Sequence, residues 1–243
     1  MEAWGLTDPG NVREQNQDAF QITKIGENTL LCVVCDGMGG AKSGNVASKL
    51  ASEVFSEEIK RSFSPEMTPE EAERVLRSAA TLANISVYEH SQLSEEYSGM
   101  GTTLVAALLY DRATLVINIG DSRAYHIHPD GVRRITTDHS VVELMVQRGE
   151  LTHEQAKTHP SKNLITRAVG TTPQVYADVF HVEMRKNDCL LLCSDGLSNE
   201  MADQEILFEV VHGARKDDCC QRLLEIAKER GAPDNVTSIL IAP

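Results

Sequence analysis

Four aspartates each stand where an apolar run breaks into glycine or a small polar residue: Cys35-Asp36-Gly37, Gly120-Asp121-Ser122, Ser194-Asp195-Gly196 and Pro233-Asp234-Asn235. A carboxylate at a strand end must be paired, hydrated or bound to a cation, because burying it alone costs several kcal/mol or forces it neutral. Four of them brought together repel one another. Divalent cations remove that repulsion, and oxygen-only ligands favour hard ions such as magnesium, calcium or manganese. If Asp36 and Asp234 build one site, the first and last strands are expected to lie side by side, so that the chain closes on itself as a single unit.

The bulk of the chain suits such a unit. Of 243 residues 41% are hydrophobic, and Trp4 is the only tryptophan, so the core must be aliphatic. Lys plus Arg is 23 against 36 Asp plus Glu, a formal net charge of -13, which argues against nucleic-acid binding and against an anionic membrane surface. No basic segment followed by an apolar run opens the chain, and no stretch approaches bilayer-spanning length. The expectation is a cytoplasmic protein, or the cytoplasmic part of one, with no membrane partner. The six cysteines are then expected to be reduced. Cys32 and Cys35 have zinc-pair spacing but fall in the run Leu30 to Cys35, where side chains three apart point to opposite faces, so burial is the better reading.

No linker, repeat or low-complexity stretch divides the sequence, and one domain over 1–243 is expected. Strands are predicted at Ala19 to Thr23, Thr29 to Cys35, Thr103 to Leu109, Thr114 to Ile119, Val175 to Val182, Cys189 to Cys193 and Val236 to Ile241, with a hairpin around Pro129-Asp130-Gly131. Val46, Leu50, Val54 and Ile59 recur at helical spacing, and Thr68-Pro69-Glu70-Glu71 is a capping box that opens a second helix. Two more helices run from about Asp203 to His212 and from about Asp217 to Arg230. Antiparallel strands separated by helix pairs imply an α+β fold with helices outside two stacked sheets. From about 138 to 170 the pattern loosens into short helices and the polar stretch His159 to Asn163, expected to be a flap-like segment or a plain surface insertion.

Ahead of Asp36 stands Arg13-Glu14-Gln15-Asn16-Gln17-Asp18. Arginine's planar fork matches phosphate oxygens, and Asp18 adds a further carboxylate. Seven elements follow one another along the chain: Arg13 to Asp18, Asp36 to Gly40, Gly101-Thr102-Thr103, Gly120-Asp121-Ser122-Arg123, Asp138-His139-Ser140, Ser194-Asp195-Gly196 and Asp234-Asn235. In this order they resemble the metal-dependent serine/threonine protein phosphatases of type 2C, in particular the compact bacterial members.

The resemblance implies a four-layer α-β-β-α sandwich of two mainly antiparallel sheets flanked by helix pairs, with Mn2+ or Mg2+ in a cleft at one end. Asp36 would bridge two core ions, the Gly37 carbonyl would bind the first, Asp195 and Asp234 the second, and Asp18 would support the first through water. Asp121, with Asp195, matches the carboxylates that hold a third, weaker ion in bacterial members. Arg13 would bind the substrate phosphate. The implied reaction is in-line attack by a water activated between two cations, without a phosphoenzyme. Implied partners are phosphoprotein substrates, those of a Ser/Thr kinase, for a monomeric enzyme. Two other readings are a dedicated phosphatase for a regulatory partner, such as an anti-sigma-factor antagonist, and a catalytically silent metal-binding module.

The departures concern the proton donor. Bacterial relatives commonly carry a histidine after Asp-Gly-Met-Gly-Gly and an acidic residue further on, where this chain has Ala41 and Asn45; other relatives place histidine where Met38 stands. His139 is a candidate donor by its place in Asp-His-Ser, but a structural hydrogen bond to backbone is the better expectation. His126 and His128 share a strand face, and solvent exposure is expected for both in the absence of an apparent third ligand.

Overall fold

The computed structural model describes residues 1–40 and 43–242. Two antiparallel sheets lie face to face. One runs in the order β1 (Glu2–Asp8), β11 (Val236–Ala242), β10 (Cys189–Cys193), β7 (Arg123–His128), β8 (Gly131–Arg134). The other runs β2 (Asp18–Lys24), β3 (Leu30–Met38), β5 (Leu104–Tyr110), β6 (Ala113–Ile119), β9 (Asp178–Val182), and the two-residue β4 (Gly101–Thr102) pairs antiparallel with the end of β3. Helices α1 (Gly44–Ser62) and α2 (Pro69–Ser91) cover the second sheet, and α6 (Asp203–His212) and α7 (Cys219–Glu229) cover the first. The short α3 (Val141–Gln147) and α4 (His153–Lys157) lie in the 138–170 segment, and α5 (Asp195–Ser198) follows β10.

The apolar runs explain the four layers. In β3, Leu31, Val33 and Cys35 join the cluster under α1 and α2, while Leu30, Cys32 and Val34 join the cluster between the sheets. In β10, Cys189, Leu191 and Cys193 face α6 and α7, and Leu190 and Leu192 face the opposite sheet. A strand covered on both sides has no solvent face, hence no alternation of polar residues. Each fully buried Leu or Val contributes about 1.5–3 kcal/mol over its exposed state. Cys32 and Cys35 lie in different layers, and all six cysteines are free and buried.

Local signals account for the helix starts. Thr68 accepts from the Glu71 amide and Glu71 returns a bond to the Thr68 amide, a complete capping box before Pro69. Two expectations need correction. The inward face of α1 is Ala47, Ala51, Phe55 and Ile59 with Ser48, Ser52 and Ser56, whereas Val46, Leu50 and Val54 are only partly buried; small residues let the helix sit close to the sheet. The β1 strand is absent from the sequence expectation, because Glu-Ala-Trp-Gly-Leu-Thr-Asp lacks a β-branched run.

That strand changes how the chain closes. β1 pairs with β11 from Glu2↔Ala242 to Asp8↔Val236. The first and last strands are therefore neighbours, but Asp36 belongs to β3 in the other sheet. It meets Asp234 across the sandwich, at the shared end of the two sheets.

Candidate active site

Asp36 lies near the end of β3, and its register partner across the ladder is Asp18 at the start of β2. Directly opposed carboxylates on one sheet face repel. The backbone here is locked from three sides: the Asp36 amide donates to Thr103 Oγ1 (2.9 Å), and the Asp36 carbonyl accepts from the Thr103 amide (2.9 Å) and Thr102 Oγ1 (2.8 Å). Thr103 Oγ1 also pairs with Ser122 Oγ at 2.7 Å, tying Asp36 to the Asp121 turn. Gly37 follows where no side chain fits, since a Cβ there would lie 2.1 Å from the Gly44 carbonyl oxygen.

The other acids arrive from separate elements. Asp121 follows β6 through Gly120, whose φ of 108 is open to glycine. Asp195 opens α5 directly after β10, and Asp234 immediately precedes Asn235 and β11. Asn235 holds the loop that carries Arg13: its Oδ1 accepts from the Gln17 amide (2.8 Å), and its Nδ2 donates to the carbonyls of Pro9 and Gln15 (both 3.0 Å). Arg13 Nη2 then donates to Asp234 Oδ2 at 2.8 Å, at the mouth of the cleft. The cleft, about 520 Å³, is lined among others by Arg13, Asp36, Gly37, Asp121, Asp195 and Asp234.

Asp18 sits beneath it, buried, with Oδ2 accepting from Thr237 Oγ1 (2.6 Å) and Ser194 Oγ (2.8 Å). Burial pushes its carboxyl up to about 7 despite those two bonds, with the charges of Asp195 and Asp234 adding to the rise. Asp121 is raised to about 8, first by burial and then by Asp195 and Asp138. Burial also raises Asp36 well above the ordinary range, reinforced by Asp18, Asp195 and Asp121, and Asp195 rises by burial and the charge of Asp234. Asp18 Oδ1 and Asp195 Oδ1 are buried without a hydrogen-bond partner. Orphaned carboxylate oxygens and crowded like charges fit hard divalent cations, whose charge and oxygen preference meet both needs. Among the described residues no three His, Cys, Asp or Glu side chains are arranged to hold a metal ion as they stand; Asp36, Asp121, Asp195 and Asp234 line a shared cleft.

Comparison with known proteins agrees with this geometry. The profile of the family described as Protein phosphatase 2C matches residues 11–240. The chain belongs to the protein phosphatase 2C family. It is 35% identical over 242 residues to the serine/threonine phosphatase stp of Listeria monocytogenes, covering 99% of this chain and 95% of that protein. It is 33% identical to the protein phosphatase PhpP of Streptococcus pneumoniae over 242 residues, 100% of this chain and 97% of that one. The crystal structure of serine/threonine phosphatase Stp1 from Staphylococcus aureus superposes with a TM-score of 0.92 at 38% identity, covering 100% of this chain and 94% of that chain. Family membership makes this chain a serine/threonine protein phosphatase, with the α+β architecture of its structural relatives.

In this type 2C phosphatase, the residues that hold the acids in place were the least visible from sequence. Ser194, Thr237, Thr103 and Asn235 each anchor a carboxylate or the Arg13 loop. Ser194, Thr103 and Asn235 neighbour motif aspartates, which was the available signal; Thr237 carried none. His139 is buried and its Nδ1 accepts from the Gly120 amide at 2.9 Å, the backbone bond expected of it. His126 departs from the expected solvent exposure: its side chain is 12% exposed and Nε2 lies 2.8 Å from Asp188 Oδ2. Burial opposes ionisation of Asp188, but the Arg185 amide and His126 outweigh it and hold this carboxyl below its usual range.

Met38 lines the aspartate cleft, Asn45 lies in the first turn of α1, and Ala41 is outside the described residues. Among the described residues that line this cleft there is no histidine; His153 lines a neighbouring hollow of about 670 Å³ that shares Asp121 and Asp195 with it. No helix among the described residues is long and apolar enough to cross a membrane.

Proposed function

We propose that this phosphatase hydrolyses phosphoserine and phosphothreonine in proteins, with phosphoproteins made by a Ser/Thr kinase as substrates, in one catalytic domain spanning the chain. The observation that carries the reading is the convergence of Asp36, Asp121, Asp195 and Asp234 from four chain segments on one cleft, with Asp18 buried behind Asp36 and Arg13 at the mouth. Asp36 and the Gly37 carbonyl would hold a first Mn2+ or Mg2+, Asp36, Asp195 and Asp234 a second, and Asp121 with Asp195 a third, weaker one. Such ions, when bound, supply a water acidic enough to attack phosphorus and positive charge for the phosphoryl oxygens.

The protein's own residues do the rest. Arg13 presents its guanidinium to the phosphate oxygens and orients phosphorus above the carboxylates. Thr102 and Thr103 fix the Asp36 backbone, and Ser194 and Thr237 fix Asp18, so the ligand set needs little reorganisation as charge builds. The lining of the cleft offers no histidine among the described residues to protonate the leaving oxygen, which distinguishes this chain from relatives with histidine near position 38 or 41. The 138–170 segment contributes Asn163 and Ile165 to the cleft wall and acts as a flap over the substrate.

The test is phosphate release from a phosphothreonine peptide by the folded protein with Mn2+, with chelator, and with Arg13→Ala. Turnover is expected only with the metal, and Arg13→Ala is expected to raise KM more than it lowers kcat. Metal-independent turnover would overturn the cation assignment, and no turnover under any condition would overturn the hydrolase reading.

A further inference from the structure

Asp121 follows the end of β6 by two residues, and its own peptide is preceded by Gly120. A Cβ on Gly120 would lie 2.6 Å from Thr103 Cγ2, so the turn is pressed against the residue that bonds the Asp36 backbone. Both polar atoms of Gly120 are engaged by one residue. Its amide donates to His139 Nδ1 (2.9 Å), and its carbonyl accepts from the His139 amide (3.0 Å), with Asn118 Nδ2 adding a bond at 3.2 Å.

An imidazole that accepts at Nδ1 carries its proton at Nε2. Here Nε2 meets Asp178 Oδ2 at 3.0 Å, and the other oxygen of Asp178 accepts from Arg167 Nη1 at 3.0 Å. Arg167 also reaches the Tyr176 carbonyl at 3.0 Å, and the neighbouring Thr166 amide donates to the His139 carbonyl at 2.7 Å. Burial keeps the imidazole pKa below its ordinary value, against the pull of Asp178, consistent with the neutral tautomer these bonds require. The same segment places Asn163 and Ile165 in the wall of the aspartate cleft, two residues before Arg167. A continuous chain of bonds thus runs Arg167–Asp178–His139–Gly120 and ends at the residue before Asp121.

We propose that His139 is a positioning residue for Asp121, held in its tautomer and orientation by Asp178 and Arg167, and that this relay sets the cation affinity of the Asp121 carboxylate. The inference rests on the reading of Asp121 as a cation ligand. Partners that orient a ligand from behind change metal affinity by about 10–100-fold when removed.

The experiment is a calorimetric Mn2+ titration of the whole protein, with circular dichroism to check the fold, on His139→Leu, His139→Asn, Asp178→Ala and Asp121→Ala, singly and with His139→Leu combined with Asp121→Ala. His139→Leu is expected to weaken the weakest Mn2+ site by about 10–100-fold, and the lost affinity should return largely in His139→Asn, whose Oδ1 still accepts from Gly120. No further loss is expected on adding His139→Leu to Asp121→Ala. Asp178→Ala, at a half-exposed carboxylate, should weaken the same site and carries the test if His139→Leu fails to fold. An unchanged titration in His139→Leu and Asp178→Ala, or an equal His139→Leu effect with and without Asp121, overturns the relay. If Asp121→Ala itself leaves the titration unchanged, the assignment of Asp121 as a ligand falls and the relay with it, an outcome distinguishable from failure of the relay alone.

Discussion

Two groups of carboxylates lie within one end of this fold and obey opposite rules. Asp138, in the neighbouring hollow, and Asp178 have cations in hand: Arg123 forks onto Asp138 with Nη2 at 2.6 Å, Arg134 adds a bond at 3.4 Å, and Arg167 and His139 share Asp178. Burial works against ionised Asp178, but its bonds from His139 and Arg167 outweigh burial and depress its pKa. A few residues away, Asp18, Asp36, Asp121 and Asp195 are all pushed up, chiefly by burial and then by one another. Proximity to arginine is not what separates them, since Arg123 immediately follows the Asp121-Ser122 pair in sequence. The side chain of Arg123 turns to Asp138 instead, and its charge offsets only part of the rise at Asp121 and Asp195. Asp138 and Asp178 thus carry their own cations, and of the cleft acids Asp234 alone is given one, the exposed Arg13 at the mouth.

The comparison is most exposed to substitution of the cleft acids. Asp195→Asn is expected to cut turnover of a phosphothreonine peptide by more than about a hundredfold, beyond the cost of losing an outer-shell partner of a metal site. In chelator the same variant should melt no lower than the parent, because it removes a repelled charge. A large fall in chelator would make Asp195 a structural acid like Asp138. The reverse holds on the other side: Asp138→Ala leaves Arg123 and Arg134 facing a buried gap and should cost about 3 kcal/mol of folding stability, measured by urea denaturation in chelator. A loss within error would break the distinction.

A smaller effect concerns pH. Asp18 and Asp121 keep their protons in the folded chain to about pH 7 and about pH 8, whereas unfolded aspartate loses its proton near pH 3.9. The folded state binds more protons across that interval, so stability in chelator must fall as pH rises from about 4 to about 8. Asp178 and Asp188, with depressed values, contribute stability above the unfolded pKa that is lost only as pH falls through their folded values. Urea midpoints at pH 5, 6.5 and 8 check the sign, and saturating Mn2+ should flatten the trend. The smallest change is Thr237→Val, which removes one donor from Asp18. It should cost about 1 kcal/mol at pH 5 and about 2 kcal/mol at pH 8, where the acceptor is charged; equal costs at both would argue that Asp18 does not titrate between them.

Much of the scaffold was legible because its signals are local. The runs of β3, β5 and β10 lack polar alternation since both faces are covered, and the capping box at Thr68 fixes the start of α2 through bonds within four residues. Where the sequence misled, the deciding contact was distant. Glu2–Asp8 is a strand because β11 offers an edge more than 220 positions away, and α1 turns Ala47 and Ala51 inward, ahead of Val46 and Leu50, because the sheet beneath demands close approach. His126 looked like a surface residue until Asp188 met it from the β9–β10 connection.

By itself the sequence singled out the groups on which the proposed chemistry rests. Asp18, Asp36, Asp121, Asp195, Asp234 and Arg13 announce themselves through residue type, spacing and the glycines beside them, because strand ends need such residues and metal and phosphate chemistry need such charges. Only the tertiary structure decided how those charges are held. Asp18 takes its bonds from Ser194 and Thr237, the Arg13 loop hangs on Asn235, and Asp121 leans on His139 through the Gly120 peptide. These bonds join residues up to 219 positions apart, and hydrogen bonds act over about 3 Å. No pattern along the chain encodes a force of that range until the two sheets have brought their ends together.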